Sequence, residues 1–327
     1  MTDAADMALP GEVELVREMI GILERKLARD YPAGSTLRAA HPKSLGVLHG
    51  SLTVEEHLPA DLTVGVFQPG RRYDCWLRSS NASAKPQSDA VPDLRGLAIK
   101  LLGATGAGDA DVPRGQDFVL LSHPSMPLGT VPLFRDAIYY AVESSPLLLL
   151  AKFVLTGHAR ALWELKKASG CPTSPLDIRY WSTTPYRFGD RVVKYGLIPT
   201  SAHRSTLPAK LGEHYLTDAM AAHLDEHEAT FDFCVQLQKD GMPIEDAAVV
   251  WDEAASPFIK LATVVIPLQV FRTPERRALS ESLAFSPGHA LPEHSPLGGL
   301  NRARVAIYER LARFRRERDA VTGSAAA

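Results

Sequence analysis

Residues 37–54 read LRAAHPKSLGVLHGSLTV, and the rest of the chain is interpreted outward from them. Arg38 and His41 precede a glycine-rich run that passes into the apolar, β-branched pattern of a strand. LTVGVF, YDCWLRSS and LRGLAIKLLG continue that texture, separated by Pro, Gly and Asn, so Leu45 to about Lys100 reads as antiparallel sheet or barrel wall. Upstream, Val16, Met19, Ile20, Leu23 and Leu27 recur at helical spacing within residues 12–29, which predicts an amphipathic helix. Downstream, the Gly- and Asp-rich residues 103–116 predict a turn before DFVLLS resumes as strand.

Between Leu133 and Ala168 the texture is helical, with two stretches predicted, DAIYYAV and LAKFVLTGHARALWELKKA. RYWSTTPYRFG with RVVKYGLIPT resembles a hairpin, His214 to Glu228 a helix, and TFDFCVQLQK and FIKLATVVIPLQVF two more strands. Seven to nine strands suit one closed or nearly closed barrel. Pro287 to Gly299 is irregular, and Asn301 to Arg318 is a strongly basic helix. The expected organisation is an N-terminal helical arm over 1–34, a barrel domain over 35–318 and a disordered tail over 319–327.

The formal net charge of -2 supplies no positive field to attract nucleic acid and points to a small, uncharged or apolar partner. Cys75, Cys171 and Cys234 are too few and too scattered for a disulfide framework. The acidic N-terminus lacks the pattern of a signal peptide, so a cytoplasmic location is expected. PLLLLAKFVL, the most apolar run, is about half the ~20 residues that a membrane span needs. Gly103 to Gly108 lacks the GK[ST] of a phosphate loop, no G-x-S-x-G elbow is present, and HLDEH at 223–227 departs from HExxH and reads as a solvated polar face.

The C-terminal helix carries more information. At about 100° per residue, Tyr308 lies about 40° and Arg315 about 20° from Arg304, so the three share one stripe. The bland reading is a surface basic helix with a half-buried Tyr. The alternative is a phenolate favoured by neighbouring guanidiniums and able to hold ferric haem iron.

Taken together, the Arg38 and His41 segment, WLRSSNA, DLRGLAIK, FDFCVQLQ, VVWDEAASPFIKLATVVI, LAFSPGHALP and ARVAIY resemble the catalase superfamily from about Thr36 to Arg315. The resemblance implies an α+β fold with an antiparallel eight-stranded barrel, surrounding helices and a haem b cofactor. It implies His41 as distal base and Ser80 as its hydrogen-bond partner, the two catalytic candidates. Tyr308 would be the proximal iron ligand, Arg304 the group stabilising its phenolate, and Arg38, Arg78 and Arg315 the holders of haem propionates. The implied activity is a small catalase-related haem peroxidase acting on hydrogen peroxide or organic hydroperoxides through a ferryl intermediate, with a small organic reductant or substrate as partner, no nucleic acid and a homodimer as the suggested assembly.

One family position departs. Aligning Asp117 and Pro124 puts Leu121 where catalases carry a peroxide-orienting Asn, with Ser122 and His123 beside it. Loss of that donor should weaken disproportionation more than peroxidase chemistry. Ala40 stands before His41, where catalase-type allene oxide synthases carry Thr. A specialised biosynthetic enzyme oxidising or rearranging a metabolite or fatty-acid hydroperoxide, and a non-enzymatic haem carrier or sensor, are the alternatives.

Overall fold

Strand pairing closes a ring. The computed structural model describes residues 8–104 and 115–324. Its strands are β1 (Ser44–Val54), β2 (Arg72–Asn81), β3 (Arg95–Leu101), β4 (Gln116–Leu121), β5 (Tyr180–Trp181), β6 (Tyr186–Phe188), β7 (Arg191–Pro199), β8 (Ala229–Leu237) and β9 (Ile259–Ile266). Antiparallel pairing runs β5-β4-β3-β2-β1-β9-β8-β7, and a β5–β7 contact returns the sheet on itself as an eight-stranded barrel. Tyr180 and Trp181 pair with Leu197 and Gly196 at one end of β7, while β6 pairs with the other end, so the short β5 and β6 share one edge.

Strand parity sets what each wall faces. Leu48, Leu77, Ile99 and Phe118 stand opposite one another across β1 to β4 and turn inward. There Phe118 meets Phe233 at 4.6 Å and Tyr195 at 5.0 Å between ring centroids, in the edge-to-face geometry that the ring quadrupoles favour. Arg78, Ser80, Gly96 and Leu121 belong to the opposite parity and face outward.

A second apolar core covers that outer face. Helices α1 (Glu12–Asp30), α2 (Val131–Glu143) and, after α3 (Pro146–Leu155), α4 (Ala159–Ala168), α5 (Tyr215–Glu226) and α6 (Pro274–Ser282), the long α7 (Gly299–Ser324) complete the chain. Met19, Leu23 and Leu27 of α1 pack with Ala303, Ile307 and Leu311 of α7 and with Ala39. Glu12 bonds Arg302 at 2.8 Å and Glu24 reaches Arg310 at 2.7 Å, which fixes the pairing of α1 with α7.

Three expectations need correction. Residues 133–168 hold three helices rather than two, because Gly157 adopts φ +76° and Gly157 and His158 donate to the Val154 and Phe153 carbonyls, a helix-ending arrangement. LTVGVF is not a strand: Gly65 takes φ +53°, where a side chain would collide with the His294 imidazole, and the Val66 amide donates to His294 Nε2 at 3.2 Å. The expected disordered tail is helical through Ser324, with residues 325–327 outside the described residues. Most of the turn expected at 103–116 likewise lies outside them.

His294 is fully buried between the barrel aromatics and residues 64–66. Because Nε2 accepts from Val66, Nδ1 carries the proton and donates to the Tyr195 hydroxyl at 3.1 Å. Burial pulls its pKa down to about 4. The folded state therefore holds this imidazole neutral, whereas the unfolded chain protonates it below about pH 6.5. Its contribution is complete above that pH and is lost as the pH falls towards 4, a change on the order of 2–3 kcal/mol. Denaturation midpoints measured between pH 4 and 7 should drop on the acid side, and His294→Asn should flatten the slope.

Candidate functional site

The site is assembled on the outer wall of β1 to β4, between the two apolar cores. Ser80 of β2 stands opposite Gly96 of β3, and Gly96 opposite Leu121 of β4, so these three share one cross-strand row. His41 lies over this row, its Nδ1 2.9 Å from Ser80 Oγ. A Cβ on Gly96 would fall 2.7 Å from the His41 ring and 2.9 Å from Ser80 Oγ, so only glycine leaves room for the imidazole. The DLRG motif has a second use: the buried Arg95 reaches Asn81 Oδ1 and the Gly170 carbonyl, and Asn81 in turn bonds Asp89, which tethers the loops behind the row.

His41 itself has φ +54°, a backbone conformation that costs a non-glycine residue energy and persists where its surroundings over-determine it. Arg78 supplies the constraint by donating from Nη2 to the His41 carbonyl at 2.9 Å. Although part of the residue's surface remains open, the ring lies deep enough that burial, and then the Arg78, Arg304 and Arg38 guanidiniums, pull its pKa down to about 3. His41 is therefore a neutral imidazole across the physiological range.

The three arginines matched to propionate holders converge. Arg38 donates to the Ser280 and Leu283 carbonyls at 2.6 Å and meets Glu281 at 3.0 Å. Arg315 bonds the Thr36 carbonyl at 2.9 Å and reaches the same Glu281 oxygen at 3.3 Å. Arg78, buried beside them, has its pKa drawn down to about 9, chiefly by burial and further by Arg38. Three guanidiniums thus share one carboxylate, an excess of positive charge that suits a ligand carrying two carboxylates.

On α7, Arg304 and Tyr308 are one turn apart, with the Arg304 guanidinium carbon 5.8 Å from the Tyr308 ring centroid. Arg304 is buried and donates to Thr184 Oγ1 at 3.0 Å and Asn301 Oδ1 at 3.1 Å. Burial opposes its charge, but the neighbouring Tyr308 and Tyr186 hydroxyls prevail and hold it firmly cationic. The Tyr186 hydroxyl is itself buried with no well-formed hydrogen bond among the described residues. This donor set, a tyrosine braced by a buried arginine, fits a ferric-haem ligand, and the arginine cluster fits the haem carboxylates.

The structure therefore brings His41, Ser80, Arg38, Arg78, Arg304, Arg315 and Tyr308 to one region. It adds Gly96, Glu281, Thr184, Asn301 and Tyr186. Gly96 stood in a quoted motif, whereas the other four carried no local signal. Beside Leu121, the Ser122 hydroxyl accepts from the Arg95 amide of β3 at 2.9 Å and His123 Nδ1 lies 3.0 Å from the Ser125 carbonyl, so the first is engaged by the neighbouring strand and the second by its own segment. The solvated face expected for HLDEH is also corrected: His223 is buried and packs against His203, their ring centroids 4.6 Å apart. Among the described residues no cluster of three or more His, Cys, Asp or Glu forms a metal site.

Comparison with known proteins bears on the fold. The chain superposes on a fungal catalase with a TM-score of 0.71 and 17% identity, covering 88% of this chain and 60% of that one. On catalase A from Saccharomyces cerevisiae the TM-score is 0.66 at 16% identity, covering 88% and 62%. The barrel and its surrounding helices thus define a catalase-fold protein, one that spans about 60% of the length of these solved catalases. In sequence the chain is 29% identical over 241 residues to a catalase-related peroxidase from Mycolicibacterium paratuberculosis, covering 70% of this chain and 74% of that protein. It is 25% identical over 287 residues to a linolenate 9R-lipoxygenase from Nostoc sp., covering 79% of this chain but 35% of that protein. No family profile matches. These likenesses support a catalase-superfamily, catalase-fold protein and an oxidoreductase.

Gly96→Ala should displace the His41 ring and cost about 1–3 kcal/mol, because the clash is with a ring wedged against the sheet. A crystal structure of the variant, with its denaturation midpoint, checks both; an unmoved ring would contradict the close packing.

Proposed function

We propose that this chain is a haem-dependent peroxidase that reduces or activates hydrogen peroxide or organic hydroperoxides, with haem b as its cofactor. The observation that carries the reading is His41: a neutral imidazole seated on Gly96, with Ser80 on Nδ1 and no hydrogen bond on Nε2 among the described residues. Nε2 is then the atom that takes the proton from a peroxide and returns it to the departing oxygen. Tyr308 would hold the iron through its phenolic oxygen, with Arg304 balancing the negative charge of that oxygen. Arg38, Arg78 and Arg315 would orient the cofactor through its carboxylates and take no part in proton transfer. When bound, the haem supplies the redox chemistry that cleaves the O–O bond.

Leu121 shares the outward row with Ser80 and Gly96 and offers no hydrogen bond to a second peroxide. That favours peroxidase chemistry over oxygen-evolving disproportionation. A second reading, turnover of a fatty-acid hydroperoxide, draws on the likeness to the Nostoc linolenate 9R-lipoxygenase and on the same apolar Leu121.

Purified protein given haem should show a Soret band with high-spin ferric features, shifted or lost in Tyr308→Phe. His41→Ala should keep the haem band while peroxide turnover falls about 10²–10⁴-fold. Equal turnover in that variant would defeat the assignment of His41. Initial rates with hydrogen peroxide, cumene hydroperoxide and a fatty-acid hydroperoxide separate the substrates. Oxygen evolution with hydrogen peroxide as the sole substrate consumed would replace the peroxidase reading with a catalase.

A further inference from the structure

Helices α3 and α4 present an apolar face that nothing in the barrel uses. Leu147 is 78% exposed, Leu155 85% and Trp163 58%, and Leu148, Leu150 and Val154 stand out beside them. Successive residues turn by about 100°, so the five aliphatic side chains cover roughly a 160° arc of α3, while Phe153 on the opposite side is fully buried. The exposure does not come from a loosely formed helix. Ser145 caps its N-terminus by accepting from the Leu148 amide at 3.3 Å, and Gly157 closes its C-terminus.

Charge identifies the occupant. Residues 146–168 carry Lys152, Arg160, Lys166 and Lys167 against Glu164, a local +3 in sequence within a chain of net charge -2, of which Lys152 is offset by Asp136 of α2 at 3.9 Å. Glu164 lies 3.7 Å from Arg160, which leaves Lys166 and Lys167 exposed beside Trp163, with the Lys167 ammonium 5.0 Å from its ring centroid. Leucines flanked by lysines and an amphipathic tryptophan make the pattern of a helix lying in a headgroup layer. A twofold contact between copies would set this cationic patch against itself, whereas anionic lipid neutralises it. No helix among the described residues is long and apolar enough to cross a membrane, so the contact would be peripheral.

We propose that α3 and α4 dock this protein on the surface of an anionic lipid bilayer, with the leucine face in the headgroup region and the lysines among the lipid charges. Docking does not depend on the peroxidase reading and is measured without turnover. The full chain is sedimented with phosphatidylcholine vesicles with and without phosphatidylglycerol. Binding should be at least about tenfold stronger with the anionic lipid and should weaken with salt. Leu147→Glu with Leu155→Glu should abolish it, and Lys166→Glu with Lys167→Glu should lower it at least about tenfold. All four side chains are exposed, and unchanged thermal unfolding verifies that each variant folds. Quenching of tryptophan emission by brominated lipid should largely disappear in Trp163→Phe. Absence of binding to either vesicle, or equal binding by the Leu variant, would overturn the proposal. A dimer in sedimentation equilibrium that the same Leu substitutions dissociate would also overturn it and assign the face to a second copy.

Discussion

Buried positive charge constrains this structure more than any other feature. Arg78 and Arg304 are withdrawn from water between two apolar cores, and Arg38, Arg315 and His41 lie close by. Burial of a cation is costly unless it is hydrogen-bonded or paired. The surroundings answer with backbone carbonyls of His41, Ser280, Leu283 and Thr36, with the hydroxyls of Thr184 and Ser280, and with the single carboxylate of Glu281. These partners satisfy hydrogen bonds but not charge. Burial, reinforced by this residual field, keeps His41 unprotonated, and the same field would draw in an anionic ligand.

The barrel separates two tasks by strand parity. Its interior is aromatic, organised around Phe67, Phe118, Tyr195 and Phe233, and has no part in the proposed chemistry. Its outer wall carries the proposed reactive row, where Ser80 and Gly96 seat the imidazole and Leu121 continues the surface. A rigid sheet holds such a row more accurately than a loop would, although His41 itself comes from the segment just before β1. The irregular segment over Pro287 to Gly299 is pinned to the same wall, because Asp117 of β4 meets Lys100 at 2.6 Å and His289 at 2.8 Å. With Leu121 in the row, that strand position would offer no hydrogen-bond donor to a peroxide at His41.

Much of this was legible locally. The α7 stripe follows from helical geometry alone, and Arg304 and Tyr308 are adjacent because they are four residues apart. The β1 to β4 strands followed from alternation and turn residues, and His41 with Ser80 from motifs carried in order along the chain. LTVGVF was misread because its apolar run looks like a strand, while the left-handed Gly65 and the approach of His294 from 228 residues away make it a loop. The break at Gly157 was missed because one glycine inside a helical pattern is usually tolerated.

The sequence by itself determined most of the elements, the barrel class and the candidate side chains of the site, because these depend on neighbours a few residues apart or on motif residues. Tertiary structure alone decided which face of the wall holds them and what completes them. Glu281 meets Arg38 across 243 residues, and Thr184 meets Arg304 across 120. Contacts of that range depend on the β5–β7 closure and on strand register, and a one-residue slip in a strand would turn its whole set of side chains to the other face of the sheet.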